Sequence, residues 1–174
     1  MSTSLNDFHD AIIQAVADHF SGKVYVLAYP EELSQVQTPA VLLEMESGEE
    51  GQELADDRTA LRCQFALHCV LGFKTENIGL AVRDFSSQIF ILLKNNLFGL
   101  GRDVSRPENI NMSPGEFKPG AAGYESWCVT WEQTIFLGST AWDDAGVVPE
   151  MVLLGIAPDI GIGHEPDYKD ITNV

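Results

Sequence analysis

The side chains in this sequence that could do chemistry are four histidines, three cysteines and a surplus of carboxylates. His9 and His19 fall on one predicted helix about ten residues apart, nearly three turns distant, too far to share a metal ion. His68 lies in an alternating run that puts it on the face opposite Cys63 and Cys69, so that strand offers no Cys-His zinc pair. His164-Glu-Pro-Asp167 looks like a metal corner, but Pro166 interrupts its donors and no second cluster accompanies it. No metal site is expected. Glu44, Glu125 and Glu132 could be paired on paper as a glycosidase-like acid and base, yet carboxylates are too abundant here for that pairing to mean anything. Gly99-Leu-Gly101 follows a predicted helix instead of opening one and lacks a following Lys-Ser or Lys-Thr, so it is no phosphate loop. A Gly-x-Ser-x-Gly elbow is missing too. The expectation is a non-enzymatic chain with no catalytic residue and no cofactor.

Charge narrows the partners. With 26 acidic against 10 basic residues the net charge is -16, which disfavours tight binding to nucleic acid, where affinity comes from Lys and Arg releasing counterions. It disfavours anionic membranes for the same reason. Cys63, Cys69 and Cys128 all sit in strand-like runs and read as buried thiols of a reducing compartment, not as a disulfide framework. The N-terminus lacks the pattern of a signal peptide, and no apolar run approaches a membrane span; the expectation is a protein that stays in the cytoplasm.

The elements that must carry these residues centre on 58–96. Thr59 to Leu71 alternates with period two, with Leu61, Cys63, Phe65, Leu67, Cys69 and Leu71 on one face, as in a long half-buried strand. The period then becomes helical: Ile78, Ala81, Val82, Phe85, Ile89, Leu92 and Leu93 form a stripe over Glu76 to Asn96, behind Thr75 as N-cap. Upstream, Ser4 and Asp7 make a capping pair for a helix over 5–20, followed by a short strand from Lys23 to Tyr29 and a second from Pro39 to Glu46. Seven acids lie between Glu44 and Asp57, among them Glu49, Glu50, Asp56 and Asp57, with no base among them. This predicts a solvated hairpin loop that projects into water or meets a basic partner. Downstream, residues 102–123 carry the prolines and glycines of a long connection with a short strand near Ile110 to Met112, and Tyr124 to Leu137 restores period two. Trp127 and Trp131 then share a face that should pack on Ile78, Phe85 and Ile89, with Leu61, Phe65 and Leu67 beside them.

The fold predicted is α+β: a mostly antiparallel sheet flanked by two main helices over residues 1–140, then an extended C-terminal arm over 141–174. Long strands leave edges to be covered, and apolar Leu153, Leu154, Ile156 and Ile160 in the arm need burial; a ring of subunits would solve both. Four pieces of the chain give a resemblance: the opening helix and strand; the two strands around the acidic loop; the helix Glu76 to Asn96; and the last strand with a tail reading Leu154-Gly-Ile-Ala-Pro-Asp-Ile-Gly-Ile-Gly-His-Glu-Pro-Asp-Tyr168. In these the chain resembles the tail terminator (tail completion) proteins of tailed bacteriophages, particularly those with Mu-like contractile tails. The resemblance implies a structural virion protein at the head-proximal end of the tail, assembled in the host cytoplasm. It would form a hexameric ring on the last ring of tail tube protein, ending tube and sheath growth and meeting the neck or head-completion protein. DNA would pass through the lumen without specific binding. Glu49, Glu50, Asp56, Asp57, Leu153, Leu154, Ile156, Ile160, His164 and Tyr168 are the expected assembly residues. The alternatives are another neck or tube-cap adaptor, or a small hydrolase.

Overall fold

The computed structural model describes residues 3–29, 36–115, 123–141 and 151–171. The chain divides into two compact units, Met1–Trp142 and Asp143–Val174. The first is α+β, with helix α1 (Leu5–His19), strands β1 (Tyr25–Ala28), β2 (Ala40–Glu50) and β3 (Thr59–Gly72), helix α2 (Ile78–Leu93), and strands β4 (Glu108–Pro114) and β5 (Tyr124–Leu137). The strands form one sheet in the order β1-β2-β3-β5-β4. All its pairings are antiparallel except β1 on β2, which is parallel. The mostly antiparallel sheet and two main helices match the expected architecture.

Local chemistry explains where the elements start. Ser4 closes a capping box: its hydroxyl accepts from the Asp7 amide at 3.2 Å while the Asp7 carboxylate accepts from the Ser4 amide at 2.8 Å. The Ser4 hydroxyl also donates to that carboxylate at 2.6 Å, and this bond, with the one from the Ser4 amide, holds the Asp7 carboxyl below its ordinary range. One helical stripe, Phe8, Ile12 and Val16, is then fully buried. Helix α2 starts differently from expectation, at Ile78, because Asn77 takes the N-cap in a left-handed conformation, and the Thr75 amide is bonded to Gly72 in the preceding turn.

The register of β3 with β5 runs unbroken from Thr59 opposite Leu137 to Gly72 opposite Tyr124. Phe65 therefore meets Trp131, and the two rings stack at 5.2 Å. Phe8 of α1 meets the Phe65 edge at 5.3 Å, so one aromatic column ties helix to sheet. With Val41, Leu43, Leu67, Phe85, Ile89, Val129 and Ile135 these residues form the main core, between the sheet and both helices. Leu61 packs on its margin. Two residues expected in it do not belong: Ile78 is half-exposed in the first turn of α2, and Trp127, near the start of β5, is half-buried under the Arg83 guanidinium at 4.6 Å. Both lie where helix and strand begin, beyond the column of packed side chains. Gln133 shares the core face of β5; its amide accepts from the Trp131 indole at 3.0 Å and donates to the Ser105 carbonyl at 2.7 Å, tying the connection after α2 to the sheet.

Both helices pack on one face; on the opposite face, among the described residues, lies a small apolar cluster, Val36, Ala40, Leu42 and Val70, with Tyr124 against it. The second unit pairs β6 (Leu153–Leu154) with β7 (Lys169–Asp170) and has a single 3-10 turn at Glu165–Asp167 among its described residues. Pro149 lies outside the described residues.

Candidate assembly surfaces

The acidic segment is strand for longer than its composition suggests. β2 continues to Glu50, with a bulge between Met45 and Ser47. Its carboxylates are partnered from β3 and β5. His68 Nε2 lies 3.4 Å from Glu44, Gln64 donates to Glu46 at 2.8 Å, and Arg62 lies 4.0 Å from Glu49 and in contact with Glu132. Asn109 also donates to Glu132, at 2.9 Å, and with Arg62 holds its carboxyl below the ordinary range. The facing carboxylates in turn push the Arg62 guanidinium up. Glu49 and Glu50 are exposed and Asp57 stands at the loop turn with φ of 64°.

Asp56, by contrast, does not face solvent. It is 7% exposed and accepts from the Arg58 side chain at 2.9 Å and from its amide at 3.2 Å. Arg58 reaches on to Asp103 at 2.8 Å and lies over the Phe136 ring at 5.2 Å. The bond from the Arg58 side chain is the main cause that keeps the Asp56 carboxyl below its ordinary value. The bases that balance this loop sit just outside it, at 58 and 62, which is why the acidic window alone predicted full solvation.

The thiols are placed for packing. Burial pushes Cys63 up to about 11 and Cys69 to about 12. Cys128, opposite His68 on the face away from the helices, is pushed up to about 12 by burial and then by the Glu46 and Glu44 carboxylates.

Between α1 and β1 runs a groove of about 460 Å³ lined by Leu5, Asn6, His9, Asp10, Ile13, Ala28 and Tyr29. It was not anticipated from the sequence. Both nitrogens of His9 are engaged in it. Nδ1 lies 2.8 Å from the Leu5 carbonyl, which only accepts, so Nδ1 donates, and Nε2 is hydrogen-bonded to the Tyr29 hydroxyl at 2.8 Å. That hydroxyl accepts from the Met45 amide at 2.9 Å, capping β2 where β1 ends. The pair is a latch between α1 and the sheet.

In the second unit Leu153, Leu154, Ile156 and Ile160 are all exposed, Ile156 by 66%. Tyr168 orders the segment around them: its hydroxyl accepts from the Gly161 amide at 2.9 Å, and its ring lies where a Cβ on Gly155 would come within 2.7 Å. His164 pairs with Asp167 at 3.1 Å. On the first unit Tyr25 and Leu27 of β1 and Leu80 and Ile91 of α2 are also exposed. Among the described residues no helix is long and apolar enough to cross a membrane. No protein-family model matches the chain, and none of the curated proteins searched matches it significantly.

Proposed function

We propose that this chain is a structural subunit of the tail-terminator kind, whose copies close into a six-membered ring on the end of a phage tail tube, stop its growth and present a surface to the neck. The observation that carries this reading is the second unit: an ordered segment whose Leu153, Leu154, Ile156 and Ile160 are left uncovered. Apolar side chains held out on a defined backbone lose little further entropy on docking, which suits a permanent interface. The sheet face away from the helices supports the same reading. Among the described residues it presents Glu44, Glu46, Glu49 and Glu132 against one guanidinium, Arg62, and the His68 imidazole, so carboxylates outnumber bases there, and a ring turning that face inward would line its channel with negative charge that lets DNA slide without adhering.

The test is electron microscopy of the purified chain and of phage particles that contain it. Six-fold rings of the 19.1 kDa subunit, and density for that ring between tail tube and neck, are the expected result. A ring found elsewhere in the neck would favour the adaptor reading. Particles in which the chain occupies no part of the tail end would overturn both.

A further inference from the structure

We propose that copies of this chain join head to tail by strand addition: the segment Met151–Ile156 of one copy lies along the free edge of β1 in the next, its side chains entering the groove beneath α1. The inference rests on the ring reading for its closure, and names the two surfaces that make the contact.

The two edges of the sheet are built differently. β4 begins with Glu108, has Asn109 at φ of 50° and ends at Pro114, three devices that discourage a further strand. β1 has none of them. From Val24 to Ala28 it carries no charge, no glycine and no proline; the left-handed turn of the backbone comes only at Tyr29, φ of 46°, just past its end, so four residues of edge are protected by shortness alone among the described residues. The amides of Tyr25 and Tyr29 donate to Pro39 and Leu43 on the β2 side. By the alternation of a strand, the polar backbone groups of Val26 and Ala28 point away from the sheet.

Side chains on both sides of that edge are ready for an apolar strand. Tyr25 is 50% and Leu27 41% exposed on the face away from the helices. On the helix face Leu5, Ile13 and Ala28 line the groove beside the polar Asn6, His9, Asp10 and Tyr29. An incoming strand with apolar residues on both of its sides would cover Tyr25 and Leu27 on one face and Leu5, Ile13 and Ala28 on the other. Met151-Val-Leu-Leu-Gly-Ile156 is such a sequence: Val152, Leu154 and Ile156 alternate with Met151 and Leu153, and all five are at least 40% exposed. β6 pairs with β7 along one edge and has no other strand partner among the described residues.

Charge selects this pairing. Copies of net charge -16 repel at most points of approach. The β1 edge and 151–158 are uncharged stretches where two copies can meet without setting carboxylate against carboxylate. Because edge and arm are different surfaces, each copy gives one contact and receives one. Such a heterologous contact generates a ring when the rotation closes.

The experiment uses two surface variants of the full chain, Leu27→Lys and Leu154→Lys, with circular dichroism to verify that each is folded. Analytical ultracentrifugation should find the wild type assembled and each variant weakened by about tenfold or more, because its ammonium would be buried against apolar side chains. An equimolar mixture of the two should give dimers that grow no further, since one variant keeps only its arm and the other only its edge. In the wild type, the Val26 and Ala28 amides should exchange more slowly with deuterium as concentration rises. Wild-type rings that persist in both variants would overturn the strand addition and leave the ring reading standing. Failure of the mixture to dimerise, or exchange at Val26 and Ala28 that ignores concentration in an assembled sample, would overturn it as well.

Discussion

Replacing Trp131 by Ala removes the centre of the aromatic column. The indole is 1% exposed, stacks on Phe65 at 5.2 Å and donates to Gln133 at 3.0 Å. Truncating a large core aromatic costs about 3 to 5 kcal/mol through lost transfer energy and the cavity left behind. The stacked pair contributes about 0.5 to 1.5 kcal/mol beyond its area, and a buried acceptor left without its donor costs about 1 to 3 kcal/mol. These terms overlap, so the expected loss is the upper end of the first range, about 5 kcal/mol. Trp131→Phe keeps the stacking and most of the volume, and should cost well under half as much. Trp127→Ala, on the same strand face but half-buried under Arg83, should also cost less. In urea unfolding followed by circular dichroism, with an m-value near 2 kcal/mol/M, the Trp131→Ala midpoint should fall by about 2.5 M. A loss below about 1 kcal/mol, or equal losses at 127 and 131, would refute the assignment of the core to the column through Phe65.

The Asp56 carboxyl, held below its ordinary value of 3.8 mainly by the bond from the Arg58 side chain, contributes stability that is present above that pH and lost as pH falls through its folded value. Thermal melts from pH 5 to 2 should therefore show an acid loss that is smaller in Asp56→Asn; an unchanged acid limb would exclude the pair as its source. Cys63, Cys69 and Cys128, pushed to about 11 or 12, should resist a thiol reagent at pH 8 in the folded chain and all react in denaturant, and rapid labelling without denaturant would contradict their burial. Deleting residues 149–174 should leave the first unit folded, with the melting behaviour of the full chain, while abolishing assembly and tails of uniform length. A deletion variant that failed to fold would make the arm part of its own subunit's core, and normal virions from it would remove the assembly role altogether.

The parts of this fold that were legible in the sequence are those in which one periodicity meets one packed face. β3 and β5 alternate because only one side of each lies under the helices, and α1 carries its stripe behind a local capping box. Residues 47–50 were hidden because a strand with exposed carboxylates reads as a loop, and the bulge after Met45 shifts the alternation there. The burial of Asp56 was hidden for another reason. It depends on Arg58 being held by Asp103, a contact across 45 residues that no local window contains. Of the candidate surfaces, the apolar run in the second unit was visible as composition, whereas the groove along β1 required α1 and the edge strand to be placed side by side.

A sheet with both helices on one face places different demands on alternate positions. Along β3 and β5 the odd-numbered positions, from Cys63 to Cys69 and from Val129 to Ile135, answer to the volume of a shared core, so their substitutions must compensate one another across three elements. Some of the even-numbered positions nearby answer instead to local charge balance, as Arg62 does with Glu132, while Ala66 and Val70 are buried on that face as well. Descendants of this sequence can therefore rewrite the electrostatic character of an entire surface, two residues at a time, while the backbone beneath keeps its register. Two lineages with the same architecture can in this way come to differ at the charged positions of that face while the buried ones are kept.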